Sequence, residues 1–206
     1  MITSYTELND VYIDALKEIG NIGAGNAATS LGVLLDEDVW ISSPSVRIEE
    51  FDDVVRSLGG SEEMCVAVLV NFSGEANGVV LFILSVEDAK DITGVLSPGD
   101  EHDGSGLSEL GVSAVKELGN ILGSSYVGSI ASLTGMTIDL SIPHVAVDMA
   151  GAILALPVAE YGAVDSKVMF IEESLGTKER RFHSHVIMFT DIGTLSDILS
   201  RLEIYL

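Results

Sequence analysis

One stretch of this chain occurs twice. Asp14-Ala15-Leu16-Lys17-Glu18-Ile19-Gly20-Asn21, followed by Pro44, returns as Ser113-Ala114-Val115-Lys116-Glu117-Leu118-Gly119-Asn120 with Pro143. Every landmark moves by 99 positions (18 to 117, 21 to 120, 44 to 143), so no insertion separates the copies. This is an internal duplication, and 206 residues at 47% apolar content suit two fused halves on one core.

The repeated stretch puts polar groups on one line. Helical residues three and four apart share a face. Asp14, Glu18 and Asn21 therefore form one ridge, and Ser113, Glu117 and Asn120 form another. At ~1.5 Å rise per residue, the Glu and the Asn of each ridge lie about one turn apart. Glu on a helix is ordinary solvated surface. Asn is less ordinary, because its side chain competes for backbone hydrogen bonds and makes it a poor helix former.

The pattern Asp or Ser, three residues, Glu, two residues, Asn, then twenty-two residues and Pro resembles the CheC, CheX and FliY phosphatase family of bacterial and archaeal chemotaxis, and both halves match it. The doubled motif and the segment EIGNIGAGNAATSLG side with the CheC branch. The resemblance implies an α+β fold: one continuous antiparallel sheet with pseudo-twofold symmetry, the two long motif helices on one face and their ridges outward. It also implies hydrolysis of the aspartyl phosphate on a CheY-like response regulator, whose own Mg²⁺ and lysine carry much of the chemistry. Catalytic residues would then be Glu18, Asn21, Glu117 and Asn120, supported by Asp14, Pro44, Ser113 and Pro143. No cofactor of the chain's own is implied. A second implied partner is CheD, the receptor deamidase, on a helix of the second half that includes Val147-Asp148-Met149, with Asp148 as the polar contact. The competing expectation is a noncatalytic adaptor that docks CheD or the motility switch. The two copies differ beside the ridge, Gly23 to Asn26 facing Leu122 to Ser125, so unequal sites are expected.

Charge narrows the partners. Thirty-two acidic against 10 basic residues give a formal charge of -22, which disfavours nucleic acid and anionic membranes. Self-repulsion on this scale suggests a halophilic, salt-rich cytoplasm. No apolar run approaches the ~20 residues of a membrane span. The chain opens without a signal-peptide pattern, and the expectation is a cytoplasmic protein without membrane insertion.

Periodicity predicts a helix from about Ser4, including Leu8, Val11, Ala15, Leu16 and Ile19 on its apolar face, that breaks at Gly20, Gly23 and Gly25. A second helix, Asn26 to Leu35, follows. A strand near Trp40 precedes Pro44, then come a short helix around Val54, strands Met64 to Phe72 and Asn77 to Leu84, and a helix capped by Ser85. Residues 1–98 make the first half, 99–106 a solvated linker and 107–206 the second half. That half repeats the order: helices Leu107 to Leu118 and Ile121 to Leu133, a strand near Thr137, a helix from about Val147 to Tyr161, strands Lys167 to Glu173 and His183 to Phe189, and a last helix from Thr194.

Other signals fit bland readings. Gly23-Ala24-Gly25-Asn26-Ala27-Ala28 has the letters of a dinucleotide fingerprint but no preceding strand, so helix packing explains it better. His183 and His185 share one strand face without a third ligand nearby in sequence, which favours a surface pair over a metal site. Cys65, alone in the chain, reads as a packed strand thiol.

Overall fold

A computed structural model describes residues 2, 5–96, 107–161 and 167–202. The expected linker, 99–106, lies outside the described residues. Each half runs helix, two strands, helix, two strands, helix. The first half holds α1 (Asp10–Leu35), β1 (Trp40–Ile41), β2 (Ser45–Glu50), α2 (Phe51–Ser57), β3 (Met64–Gly74), β4 (Gly78–Ser85) and α3 (Val86–Leu96). The second holds α4 (Glu109–Thr134), β5 (Ile138–Leu140), β6 (His144–Met149), α5 (Ala150–Tyr161), β7 (Lys167–Gly176), β8 (Arg181–Thr190) and α6 (Ile192–Leu202). A short 3-10 turn, Tyr5–Glu7, precedes α1.

The motif helices begin and end at repeat-related positions. Asn9 caps α1 by accepting from the Tyr12 amide (3.1 Å), and Ser108 caps α4 by accepting from the Gly111 amide (2.9 Å). Asp36 and Gly135 end them in left-handed conformations, φ 51° and 68°. The predicted start near Ser4 is thus moved to the Asn9 cap.

The predicted break at the glycines does not occur, and both motif helices run unbroken for 26 residues. Isolated glycine costs a helix about 1 kcal/mol, but here the bare backbone is packing surface. A Cβ on Gly23 would stand 2.9 Å from the Tyr126 ring, and one on Gly20 would stand 3.2 Å from Pro44 Cγ. Close approach between α1 and α4 offsets the propensity loss, and the dinucleotide-like letters are helix packing.

Two strands escaped the periodicity. The Ser45–Glu50 segment is charged, and His144–Met149 runs into the apolar start of α5. Val147-Asp148-Met149 therefore lies on a strand and not on the expected helix. The reason is pairing across the halves: β6 lines up on β3 (Val66 opposite Val147), and β2 lines up on β7 (Val46 opposite Ile171).

All eight strands join one antiparallel sheet. Its centre is β4 against β8, with β3 and β7 outside them, then β5 and β6 on the β3 edge and β1 and β2 on the β7 edge. One row crosses the sheet as Val145, Val68, Phe82, Val186, Ile171 and Val46. Reversing the row exchanges the halves, so the pseudo-twofold passes through the Phe82–Val186 pair.

Strand alternation sorts side chains into two cores. Val66, Val68, Val70, Phe82, Val186 and Met188 pack with α1, α3, α4 and α6 on one face. Ala67, Leu81, Ile83, Phe170, Ile187 and Phe189 pack with α2 and α5 on the other. Cys65 is buried in this second core, and burial pushes its thiol pKa up. The arrangement is helices, sheet, helices, with α1 and α4 side by side.

Candidate functional site

The motif ridges face outward. Leu16, Ile19 and Ala24 of α1, and Val115, Leu118 and Leu122 of α4, are buried against the sheet and the neighbouring helix. The opposite sides carry Asp14, Glu18 and Asn21, and Ser113, Glu117 and Asn120, all exposed. Neither carboxamide is sealed in the interior. Among the described residues Glu18 and Glu117 have no hydrogen-bond or ion-pair partner, so both carboxylates are available to an incoming group.

Each proline stands directly before the strand it feeds, Pro44 before β2 and Pro143 before β6, and both are buried. Pro44 packs on Gly20, one residue from Asn21. The segment ahead of each proline is thereby held beside the ridge.

In the second copy this yields an open cleft of about 420 Å³. Ser113, Glu117, Asn120 and Pro143 line it together with Ser141 and Ile142. The four repeat-related positions thus meet in one place. Among the described residues, the Asn120 carboxamide has no hydrogen-bond partner.

The first copy is arranged differently. Ser43, the repeat counterpart of Ile142, donates its hydroxyl to Asn21 Oδ1 at 3.2 Å. Lys17 is tied to Asp14 at 2.8 Å, whereas Ser113 cannot form that ion pair with Lys116. The expected difference at Gly23 to Asn26 is mostly remote from the ridge, because Gly23 and Ala24 are buried, as are Leu122 and Gly123.

Some residues of this surface do not stand out in the sequence. Val11 belongs, by periodicity, to the apolar face, yet it is 55% exposed, and its counterpart Leu110 is 56% exposed. Both lie three positions before Asp14 or Ser113 and extend the ridge by an apolar turn. The 11, 14, 18, 21 spacing was the available signal. Ile142, 71% exposed, could have been noticed as an apolar residue directly before the motif proline where the first copy has Ser43.

Asp148 lies on the outer strand β6, exposed between exposed Val147 and Met149. Its carboxylate accepts from the Met149 amide at 2.8 Å. Met149 pairs with Met64, which is also exposed, giving an apolar margin to this edge.

The histidines separate. His183 is exposed and within 3.2 Å of Ser174 Oγ, while His185 is half-buried and stacked on Phe170 at 5.5 Å. Burial holds the His185 pKa below its usual value. Among the described residues, no three His, Cys, Asp or Glu side chains are grouped to hold a metal ion. No described helix is long and apolar enough to cross a membrane.

Comparison with known proteins converges on one family. The CheC-like family matches residues 13–48 and 110–146, once in each half and over both motifs. The CheY-P phosphatase CheC of Bacillus subtilis is 27% identical over 198 residues, covering 94% of this chain and 95% of that protein. The flagellar motor switch phosphatase FliY of the same organism is 32% identical over 145 residues, 70% of this chain and 38% of FliY. The crystal structure of Thermotoga maritima FliY shares the fold, with a TM-score of 0.77 at 23% identity over 97% of this chain and all of that one.

Proposed function

We propose, from the premise that this chain belongs to the CheC, CheX and FliY family, that it dephosphorylates the aspartyl phosphate of a CheY-like response regulator. The observation that carries this reading is Asn120, exposed and without a hydrogen-bond partner among the described residues, in an open cleft beside Glu117, with Asn21 and Glu18 at the same positions on the other motif helix.

A carboxamide is both donor and acceptor, so it can hold a water in line with phosphorus. The adjacent glutamate pairs with the regulator's lysine and fixes the pose. Phosphoryl transfer asks mainly for positioning and charge stabilisation, and Mg²⁺ comes on the regulator. No nucleophile from this chain is needed. A hundredfold acceleration requires only ~2.7 kcal/mol, well within the range of positioning.

The test is phosphate release from a receiver protein phosphorylated with acetyl phosphate. Wild type should accelerate release, and the Asn21→Ala, Asn120→Ala double variant should lose the acceleration while keeping its fold. Undiminished release by the double variant would overturn the mechanism. Saturable binding without release would select the adaptor reading.

The same reading gives the protein a cytoplasmic setting and a second partner, CheD, at the β6 edge around Asp148. Support for this contact is the exposure of Asp148 between Val147 and Met149. Asp148→Lys should abolish co-purification with CheD and spare dephosphorylation. Retained capture would remove the site.

A further inference from the structure

The two copies of the motif differ most, at the ridge itself, in what stands before the proline. We infer that Ser43 is a positioning residue that restrains Asn21, so that the α4 site is the faster of the two. This deepens the reading given above and rests on it.

Three observations carry the inference. Ser43 donates its hydroxyl to Asn21 Oδ1 at 3.2 Å, filling one of the two lone-pair sites of the oxygen that accepts from the attacking water and fixing the direction of the amide. Its repeat counterpart Ile142 has no hydroxyl, and among the described residues Asn120 has no hydrogen-bond partner in its cleft. Pro44, packed on Gly20, anchors the segment that carries Ser43, so the serine is held at the amide by the backbone on both sides of the contact. Asn21 then has one acceptor site left for a water on an oxygen whose direction Ser43 holds, and any swing of the amide toward the water lengthens the bond to Ser43. Asn120 has no such bond to give up.

Glu18 and Glu117 do not explain a difference, since both are exposed and unpaired among the described residues. Lys17 holds Asp14 rather than Glu18. The restraint therefore falls on the water-orienting group and should appear in turnover more than in docking.

The experiment isolates one site at a time. Asn120→Ala leaves only the α1 site, and Asn21→Ala leaves only the α4 site. With a receiver protein phosphorylated by acetyl phosphate, the α4-only protein should turn over faster. Adding Ser43→Ala to the α1-only protein should raise kcat about two- to fivefold, the range of one modest hydrogen bond, with KM little changed. Ser43→Thr keeps a hydroxyl and should keep the slow rate. Adding Ile142→Ser to the α4-only protein should lower kcat by a similar factor.

A Ser43→Ala variant that is slower would mean that the serine preorganises Asn21, and would overturn the inference. An unchanged kcat, or a change confined to KM, would overturn it too. In both cases the active wild type would leave the phosphatase reading standing. A wild type without phosphate release would remove both.

Discussion

Glu173 is the polar side chain least expected from its surroundings. It sits on β7, 3% exposed, between the sheet and the motif helices. Tyr126 of α4, itself fully buried, donates its hydroxyl to this carboxyl, and Ser184 donates at 3.2 Å. Burial pushes the Glu173 pKa from 4.5 up to about 7, although both hydrogen bonds pull it down, and burial also pushes the Tyr126 hydroxyl up. The folded protein therefore keeps a proton on Glu173 over a pH range in which the unfolded chain has lost it. That stabilising difference is fully present below pH 4.5 and is lost as pH rises through about 7. Between about pH 5 and 8, wild-type Tm should fall by about 5 °C more than that of Glu173→Gln, which has no proton to lose. Parallel Tm profiles for the two proteins would show that Glu173 does not titrate in this window. The Phe82 ring lies 6.0 Å from Tyr126, so the polar group is enclosed by the apolar row at the centre of the sheet.

The motif helices act as rigid rails because glycine lets them come close. Gly119 faces Val68, where an added Cβ would fall 2.2 Å from a valine methyl, and Gly123 faces Val70. Gly25 has open space around it. Gly119→Ala should destabilise the protein by about 1–3 kcal/mol through overpacking, whereas Gly25→Ala should be neutral or stabilising by up to about 1 kcal/mol. Denaturant midpoints of the two variants check this, and equal midpoints would contradict the packing. Proline serves the same geometry from the loop side, since Pro44 and Pro143 hold Ser43 and Ile142 beside their ridges. The predicted helix break failed because glycine was weighed as a local residue. Its meaning here is set by Tyr126 and Pro44, which are remote in sequence.

Across the molecule, the halves are laced together. Strand β2 of the first half completes the edge beyond β7, and β6 of the second completes the edge beyond β3. The central pairing of β4 with β8 leaves no seam between two separate sheets. Over this shared frame the chain spreads a charge of -22, and most ion pairs among the described residues are at exposed positions, such as Lys178 with Asp38 and Arg201 with Glu75. Exposed pairs are worth little, so repulsion among the remaining carboxylates is relieved mainly by salt. Tm should rise between dilute buffer and about 1 M KCl, where the screening length falls to ~3 Å. A flat or falling profile would remove the charge argument for a salt-rich setting.

The sequence alone carried the duplication, the polar ridges with their prolines, the α+β class and most strand positions, because these depend on spacing within a single element. It did not carry strands β2 and β6, the unbroken helices or the unequal partners of Asn21 and Asn120. Each of those is decided by a neighbour from elsewhere in the chain: β7 beside β2, β3 beside β6, Tyr126 against Gly23, Ser43 upon Asn21. Local periodicity records which face of a segment is apolar. Only packing determines what that face meets, and the difference between the two sites is of that second kind.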